Sequence, residues 1–579
     1  MTLHPESDVL TCGEQTLPPA QPVYFAGHFG VVHLPAAGTA IRGGVVLCPS
    51  LGREQRTAHR PLKVFAAQLA ERGFAVLRYE HLDTGDSARL KPDEDAWSQW
   101  IVGVLHAGAY LQEEVGAKAV AFAGLRIGAS IAALAAQIGA ADALMLLAPV
   151  AKGSSWVREL RLTAKMMDPH GHDITDGEVD TEGLRLSEAT ARAASEMDLG
   201  KLRRAPAEVF LASPTPVRST TARLQELGAQ VQAMGFPGYE DLLQESYINT
   251  PPQEVFDAAA AWLERVSAGW PKGRRSRRPL PAPVLDLGAA EETAVRFGQG
   301  LEGVLCAPKA GATRAVIFTN TGGDPRSGIG GFAADCARRL ALKGVASLRF
   351  DFAGLGESAF APEWRSNVYE TSRGDDFDAA VSLLQAHGYA DIAVVGICSG
   401  AFHAVRAAFR DGRITGVMAV NPGDWVWQPG RPLIAPDHVA GSSTHKLISA
   451  ASSGVMNPDK WKRLVRGELR VGEKFVTLVR RIFDKSRMKW EQRADTAALR
   501  REMMQLSARA ARCTVVLSIE DAALDEIEVH FGRRASWLAK LPGVQVRILS
   551  KLDHGLFFAE SRRTALRELM AFLELPAEA

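Results

Sequence analysis

A cysteine stands between two glycines at the end of a strand-like run, in the stretch VVGICSGAFH. Gly396, Cys398 and Gly400 form the pattern G-x-C-x-G, which is typical of a sharp strand-to-helix turn that exposes its central side chain. A thiolate at a helix N-terminus is a strong nucleophile. The pattern makes Cys398 the first candidate for chemistry. The alternative is a small, buried and inert cysteine.

Acidic residues and then a histidine follow Cys398 along the chain, each just after a strand-like segment. The strand-like segment CTVVLSIED ends in Asp521, with Asp525 four residues further on, and VQVRILSKLDHGLF brings His554 just before a terminal helix. We predict a catalytic triad in which His554 takes the thiol proton of Cys398 and Asp521 orients the imidazole. Asp525 is the alternative acid.

Backbone N–H groups beside the cysteine are candidate donors to an oxyanion. We expect the N–H of Ser399 to act together with that of Thr321 or Gly322, which follow the buried strand in RAVIFTNTGG. Removing one such donor from an oxyanion hole costs about 3 kcal/mol of transition-state stabilisation.

A second turn of the same pattern, FAGLRIGAS, has Arg126 in the place of the cysteine. A guanidinium is neither a nucleophile nor readily deprotonated, and residues 173–283 contain no histidine. We therefore predict that the first half has no hydrolytic chemistry. Two roles stay open for Arg126: it binds a phosphate or carboxylate, or it forms a buried ion pair with an acid such as Glu80 or Asp83.

The elements around these turns occur twice along the chain, at an offset of 271 to 273 residues. For example, FAVLRYEHLDTGDS (74–87) matches VASLRFDFAGLGES (345–358). Strands that alternate with helices predict an α/β fold, a mostly parallel sheet flanked by helices. We predict one such domain at 1–267 and another at 285–579, joined by a Pro/Arg-rich linker at 268–284.

This order of parts resembles the α/β-hydrolase superfamily over nearly the whole chain. The matching motifs are the glycine loop at 320–323, DFAGLGES at 351–358, the turn at 396–400 and KLDHGLF. The resemblance implies two tandem α/β-hydrolase domains with helical cap insertions at about 151–200 and 424–512. The second copy is similar to hydrolases with a cysteine in this turn, such as dienelactone-type enzymes, and to hydrolases encoded with bacterial exopolysaccharide or exosortase systems.

The second cap is basic. From Lys460 to Arg512 there are 16 Lys and Arg against 6 Asp and Glu. This excess favours an anionic acyl donor, such as a phosphopantetheine carrier, a coenzyme A thioester or an acidic polysaccharide. A solvated helix face, a membrane surface or contact with acidic stretches of the first half are the alternatives.

Composition limits the remaining function classes. With 67 basic and 66 acidic residues, the net charge of +1 gives no indication of nucleic-acid binding. No apolar stretch reaches the ~18 residues of a membrane span, and the N-terminus lacks the pattern of a signal peptide. Six scattered cysteines are typical of reduced cytoplasmic thiols. We therefore expect a cytoplasmic protein. The histidines of MDPHGHD (167–173) are weak evidence for a metal, so we expect neither metal nor cofactor.

These observations favour a hydrolase that cleaves an ester or thioester through an acyl-cysteine intermediate. The first alternative uses the same residues to transfer the acyl group to an amine, a hydroxyl or a carrier thiol. A second alternative is a non-catalytic binding or assembly protein. We expect a small-molecule or carrier-linked acyl substrate and contact between the two halves of the chain.

Overall fold

A computed structural model of the chain places two sheets, one in each half. It describes residues 20–91, 94–139, 141–167, 177–275, 279–359, 368–369, 372–427, 487, 489–509 and 511–576. We call residues 1–267 the first half and residues 285–579 the second half. The motif MDPHGHD, apart from Met167, and most of the predicted second cap lie outside the described residues.

The first sheet contains eight strands in the order β1-β2-β4-β3-β5-β6-β9-β10, antiparallel through β1, β2 and β4 and parallel from β4 onward. A separate hairpin of β7 and β8 lies in the predicted first cap. The strands are β1 (Gln21–Phe25), β2 (His28–His33), β3 (Gly43–Cys48), β4 (Phe74–Tyr79), β5 (Val120–Leu125), β6 (Ala143–Leu147), β7 (Val179–Thr181), β8 (Leu184–Leu186), β9 (Glu208–Ala212) and β10 (Gln230–Met234).

The second sheet contains nine strands in the order β11-β12-β13-β15-β14-β16-β17-β18-β19, and it is parallel from β15 onward. Apart from β11 at its edge, this order is the same as that of the first sheet. The strands are β11 (Val284–Asp286), β12 (Ala290–Phe297), β13 (Leu301–Pro308), β14 (Arg314–Phe318), β15 (Ala346–Phe350), β16 (Asp391–Ile397), β17 (Ile414–Val420), β18 (Arg512–Ser518) and β19 (Val544–Leu549).

Helices cover both faces of each sheet. In the first half they are α1 (Arg53–Glu71), α2 (Ala96–Tyr110), α3 (Ile127–Ile138), α4 (Gly153–Met167), α5 (Glu188–Glu196), α6 (Arg218–Glu226), α7 (Tyr239–Leu242) and α8 (Gln253–Val266). In the second half they are α9 (Phe332–Ala341), α10 (Gly374–Ala386), α11 (Ser399–Arg410), α12 (Arg493–Ala508), α13 (Ala523–Phe531) and α14 (Ala559–Phe572).

The central strands are continuous apolar runs because both of their faces are buried. Every residue of β3, for example, is buried, as expected of a parallel strand between two helical layers. Each sheet accordingly has two apolar cores, one on each face. The structure confirms the predicted fold class of mostly parallel sheets flanked by helices. In the part of the chain that the structure describes, no helix combines the length and hydropathy needed to cross a membrane.

Part of the predicted linker packs against the first sheet. The backbone of Gly273 exchanges two hydrogen bonds with that of Ile41. A Cβ atom at Gly43 would collide with the ring of Trp270, so the absence of a side chain at this position lets the indole lie against β3. The linker is therefore anchored at its N-terminal end.

The halves contact each other through two reciprocal ion pairs. Arg78, near the end of β4, binds Glu357 at 2.7 Å, and Arg349, near the end of β15, binds Asp86 at 2.6 Å. Arg78 matches Arg349 and Asp86 matches Glu357 at the offset of 271, so each half offers an arginine and a carboxylate at matched positions. Arg349 and Asp86 are almost completely buried. The contact is therefore an internal part of the molecule.

Candidate active site

Cys398 lies on the predicted sharp turn between β16 and α11. Its backbone has φ 52° and ψ −118°, a strained conformation for a residue with a side chain. A Cβ atom at Gly396 would overlap the backbone of Gly400, and one at Gly400 would overlap the backbone of Asn320. Both glycines are needed because the start of α11 packs directly on β16 and on the loop after β14.

His554 lies between Cys398 and Asp521. Its Nε2 atom is 3.1 Å from Sγ of Cys398, and its Nδ1 atom is 2.8 Å from Oδ2 of Asp521. Asp521 follows β18, and its second carboxylate oxygen accepts a hydrogen bond from the Ala523 N–H. Asp525, the alternative acid, lies in the first turn of α13. The structure thus brings the three predicted residues together in the sequence thiol, imidazole, carboxylate.

The surroundings of His554 favour its charged form. Burial opposes charging of the imidazole, but the carboxylate of Asp521 and the thiolate form of Cys398 outweigh that effect. Together they raise the pKa of His554 well above its ordinary value. The site therefore stabilises an imidazolium 3.1 Å from the sulfur of Cys398.

Asn421 fixes the loop that carries His554, and sequence reasoning missed it. It follows β17 with φ 42° and is completely buried. Its Nδ2 group donates to the carbonyls of Asp553 and His554, and its Oδ1 atom accepts from the Ser518 N–H. The aligned position in the first half is Ala148. This difference between the halves is the observation from which the sequence could have identified Asn421.

The predicted oxyanion donors differ in whether their N–H groups already have an acceptor. The N–H of Gly322 donates to Oγ of Ser399 at 2.8 Å, so it is already engaged. The N–H of Ser399 lies at the start of α11, where helix geometry leaves it without an intrahelical acceptor. The N–H of Thr321 has no acceptor among the described residues. Ser399 and Thr321 are therefore the better candidates. The hydrogen bond from Gly322 to Ser399 connects the loop after β14 to the start of α11.

A buried carboxylate holds the loop after β14, residues 319–328, which we call the oxyanion loop. Asp351 accepts hydrogen bonds from the side chain of Asn320 at 2.9 Å and from the backbone and guanidinium of Arg326, both at 2.8 Å. A Cβ atom at Gly356 would overlap this carboxylate. The stretch DFAGLGES thus serves to position the oxyanion loop.

Aromatic side chains form a wall beside the sulfur. The hydroxyl of Tyr369 is 3.9 Å from Sγ of Cys398. The ring of Tyr369 stacks on Trp427 at 5.0 Å and meets Phe402 edge to face. Burial, with a contribution from Cys398, raises the pKa of Tyr369 well above its ordinary value. This wall, which the sequence did not reveal, gives the site an apolar side with one protonated hydroxyl.

The equivalent site of the first half is filled by ion pairs. Arg126 has nearly the backbone angles of Cys398, φ 55° and ψ −122°. Its guanidinium binds Glu54 at 2.6 Å and Glu159 at 3.1 Å. Arg126 therefore forms an ion pair, as one of the two hypotheses predicted. Its partners are Glu54 and Glu159, so the expected partners, Glu80 and Asp83, were wrong.

The expected partners of Arg126 have other roles or positions. Glu80 turns back into its own loop, where its carboxylate accepts the Asp86 N–H at 2.5 Å. Asp83 lies in the same loop, with φ 67°. Glu54 lies in the first turn of α1, which begins directly after the β3 loop facing Arg126. Glu54 and Arg126 are far apart in the sequence, so their contact was not predicted from it.

The other triad positions of the first half are also occupied by different residue types. Tyr239 follows the end of β10 at the spacing at which His554 follows β19, and Thr215 follows β9 as Asp521 follows β18. Burial raises the pKa of Tyr239 to about 12, although the nearby Arg126 lowers it. At these three positions the first half therefore has neither the thiol nor the imidazole of the second half.

No metal site accompanies either arrangement in the described ranges, where no group of three or more His, Cys, Asp or Glu side chains has the geometry to hold an ion.

No protein-family model matches this chain. The chain is 34% identical over 120 residues to the uncharacterized protein YcjY of Escherichia coli, a match that spans 20% of this chain and 38% of that protein. Similar solved structures include Est1E from Butyrivibrio proteoclasticus (15% identity, TM-score 0.31), which matches 43% of this chain and 99% of its own. The α/β hydrolase GrgF from a Penicillium species (15% identity, TM-score 0.30) matches 49% of this chain and 98% of its own.

Proposed function

We propose that the second half is a hydrolase of an ester or thioester that works through an acyl-cysteine intermediate. The observation that carries the proposal is the continuous chain of contacts from Sγ of Cys398 through His554 to Asp521. A buried structural cysteine has no need of an imidazole oriented by a carboxylate, whereas a nucleophile does.

In the first step the thiolate of Cys398 attacks the acyl carbonyl, and a carbon–sulfur bond forms. The carbonyl oxygen takes the negative charge and receives hydrogen bonds from the N–H groups of Ser399 and Thr321. The imidazolium of His554 then gives its Nε2 proton to the leaving alcohol or thiol as the bond to the leaving group breaks. Asp521 stabilises the imidazolium before this transfer.

In the second step the neutral imidazole of His554 takes a proton from water, which attacks the thioester carbonyl. The carbon–sulfur bond breaks, the acid leaves, and the thiolate and imidazolium are restored. An amine, hydroxyl or carrier thiol in place of water would give acyl transfer instead. The same intermediate therefore serves the hydrolase and its first alternative, and the acceptor decides between them.

Mass spectrometry of the intact protein tests the proposal. Wild type, Cys398→Ala and His554→Asn are treated briefly with p-nitrophenyl butyrate and, separately, with butyryl-coenzyme A. We expect one butyryl adduct on wild type, located at Cys398 by peptide mapping, and none on Cys398→Ala. The His554→Asn variant should react much more slowly, because the proton acceptor is lost.

Decay of the adduct in water, compared with decay in added amine or thiol, distinguishes hydrolysis from transfer. If neither donor acylates wild type and Cys398 also reacts slowly with iodoacetamide at pH 7, the result counts against catalysis with these donors. The binding or assembly function would then be the better interpretation.

A further inference from the structure

A loop of the first half reaches the site of the second half. We call residues 243–250 the crossing loop. The hydroxyl of Ser246 donates to Asp324 in the oxyanion loop at 3.0 Å, and Arg56 of α1 binds the other oxygen of this carboxylate at 2.7 Å. A Cβ atom at Gly323 would lie 3.0 to 3.1 Å from Ser246 and the backbone nitrogen of Tyr247. The crossing loop therefore packs directly on the oxyanion loop.

Tyr247 of the crossing loop lies beside Gly322 in the oxyanion loop. Its Cδ1 atom lies 3.9 Å from the Cβ position of Gly322, whose N–H is bonded to Ser399 next to Cys398. Burial raises the pKa of Tyr247 to about 12, and Glu245 and Cys398 add to the effect. The phenol therefore stays protonated at neutral pH. The side chain is only partly buried, and its hydroxyl has no hydrogen-bond partner among the described residues.

The first half also holds the loop that carries His554. The N–H of Gly183, in the β7–β8 hairpin, donates to the carbonyl of Phe557 at 2.9 Å. Asp180 of the same hairpin accepts the Ala559 N–H at 2.7 Å and lies 3.6 Å from Arg562. The first half thus contacts both loops that would act on the substrate.

The crossing loop belongs to the connection before α8, which is longer than the matching connection before α14 in the second half. In the second half α14 begins at Ala559, shortly after His554, whereas in the first half α8 begins only at Gln253, well after Tyr239. The first half therefore has a longer connection at the place where the second half turns straight into its helix. The additional residues form the segment that lies on the oxyanion loop.

We propose that Tyr247 contacts the acyl donor bound at Cys398, so that the active site is shared between the two halves. The proposal rests on the function proposed above. Tyr247 would line the site on the side of the oxyanion loop, whereas Tyr369 belongs to the aromatic wall. The Tyr247 hydroxyl would donate a hydrogen bond to the acyl donor. Tyr247 would touch the substrate, and the contact between Cys398 and His554 does not depend on it.

The first test measures proximity and does not require activity. Tyr247→Cys is treated with bismaleimidoethane, a short thiol crosslinker, and the product is digested and mapped. We expect a crosslink between position 247 and Cys398. Ile248→Cys, whose side chain is exposed on the same loop, is the control and should give none. A crosslink from position 248 but not from 247 would overturn the placement of Tyr247.

The second test measures the role of the phenol in acylation by butyryl-coenzyme A. For Tyr247→Ala we expect a rise of about tenfold or more in the donor concentration for half-maximal rate, the size of one lost specific contact. Tyr247→Phe should recover the part due to the ring, and Ile248→Ala should equal wild type. The rate of iodoacetamide alkylation of Cys398 should stay within about twofold in all variants.

The outcomes separate the two proposals. If wild type is not acylated but position 247 crosslinks to Cys398, the proposed function fails, and the contact with an acyl donor fails with it, while the placement of Tyr247 beside Cys398 is supported. If wild type is acylated and Tyr247→Ala is unchanged, the proposed contact is wrong. A parallel loss of acylation and alkylation in Tyr247→Ala would show a collapsed site, and would also count against a direct contact with the donor.

Discussion

Replacing Asn421 with alanine should detach the His554 loop from the sheet while leaving all three triad side chains in the chain. The asparagine is completely buried and makes three hydrogen bonds, two to carbonyls beside His554 and one from the Ser518 N–H. Alanine can make none of them. Alanine is also the residue at the aligned position 148, in the half that has Tyr239 at the position matching His554.

The expected magnitude follows from these bonds. Each net hydrogen bond contributes about 1 kcal/mol, so Asn421→Ala should lower the free energy of unfolding by about 3 kcal/mol. If the whole of that energy acts locally on the His554 loop, the population of the aligned loop falls by about a hundredfold, since 1.4 kcal/mol corresponds to a factor of ten. The rate of acylation should therefore drop by up to about a hundredfold.

Two measurements on the same samples check the prediction, urea unfolding and the rate of butyrylation of Cys398. Thr415→Val is the matched control, because Thr415 lies at the other end of β17 and its hydroxyl donates to Asp391 and to the Ile392 carbonyl. We expect this variant to lose about 1 kcal/mol of stability with acylation unchanged.

The reasoning would be refuted by an Asn421→Ala variant that loses stability but acylates at the wild-type rate. Such a result would mean that the loop keeps its position without these bonds. A variant with unchanged stability would show that water replaces the asparagine, and that the bonds contribute nothing net to folding.

Three further predictions concern charge. Asp86→Asn should lower the free energy of unfolding by about 3 kcal/mol in thermal or urea unfolding, because Arg349 loses a partner in a fully buried pair; an unchanged midpoint would contradict this. Arg126→Cys should gain no butyryl adduct by mass spectrometry, since among the described residues a tyrosine, Tyr239, stands at the position that matches His554, and a second adduct would refute the assignment. Asp521→Asn should lower the pKa of His554, followed by NMR of the imidazole. Because the raised pKa stabilises the fold fully below the unfolded value of about 6.5 and less as pH rises through the folded value, the variant should also lose this pH dependence of stability.

The sequence predicted the strand-to-helix turn at Cys398 and its partners because their constraints are local. A strand, two glycines at fixed spacing and a helix start define the turn, and the ends of parallel strands meet at one edge of the sheet. Asp521 and His554 each follow a predicted strand of the same parallel sheet, so they could be assigned to the same edge as Cys398. The fold class followed from the same alternation of strands and helices.

The residues that sequence reasoning missed act over long chain distances. The ion pair of Arg126 with Glu54 depends on the packing of α1 against the turn after β5, and the approach of Tyr247 to Gly322 depends on how the halves dock. No periodicity or spacing encodes such contacts. Asn421 is an intermediate case, because comparison of the two aligned halves could have identified it.

The reciprocal pairs of Arg78 with Glu357 and Arg349 with Asp86 have a consequence for how the chain can change over time. They have the symmetry of an isologous subunit interface, although both sides are encoded in one polypeptide. In a homodimer a substitution appears on both sides at once and is tested twice. Here each side can vary alone, and the acids already differ. Covalent joining also makes the association of the two halves independent of protein concentration.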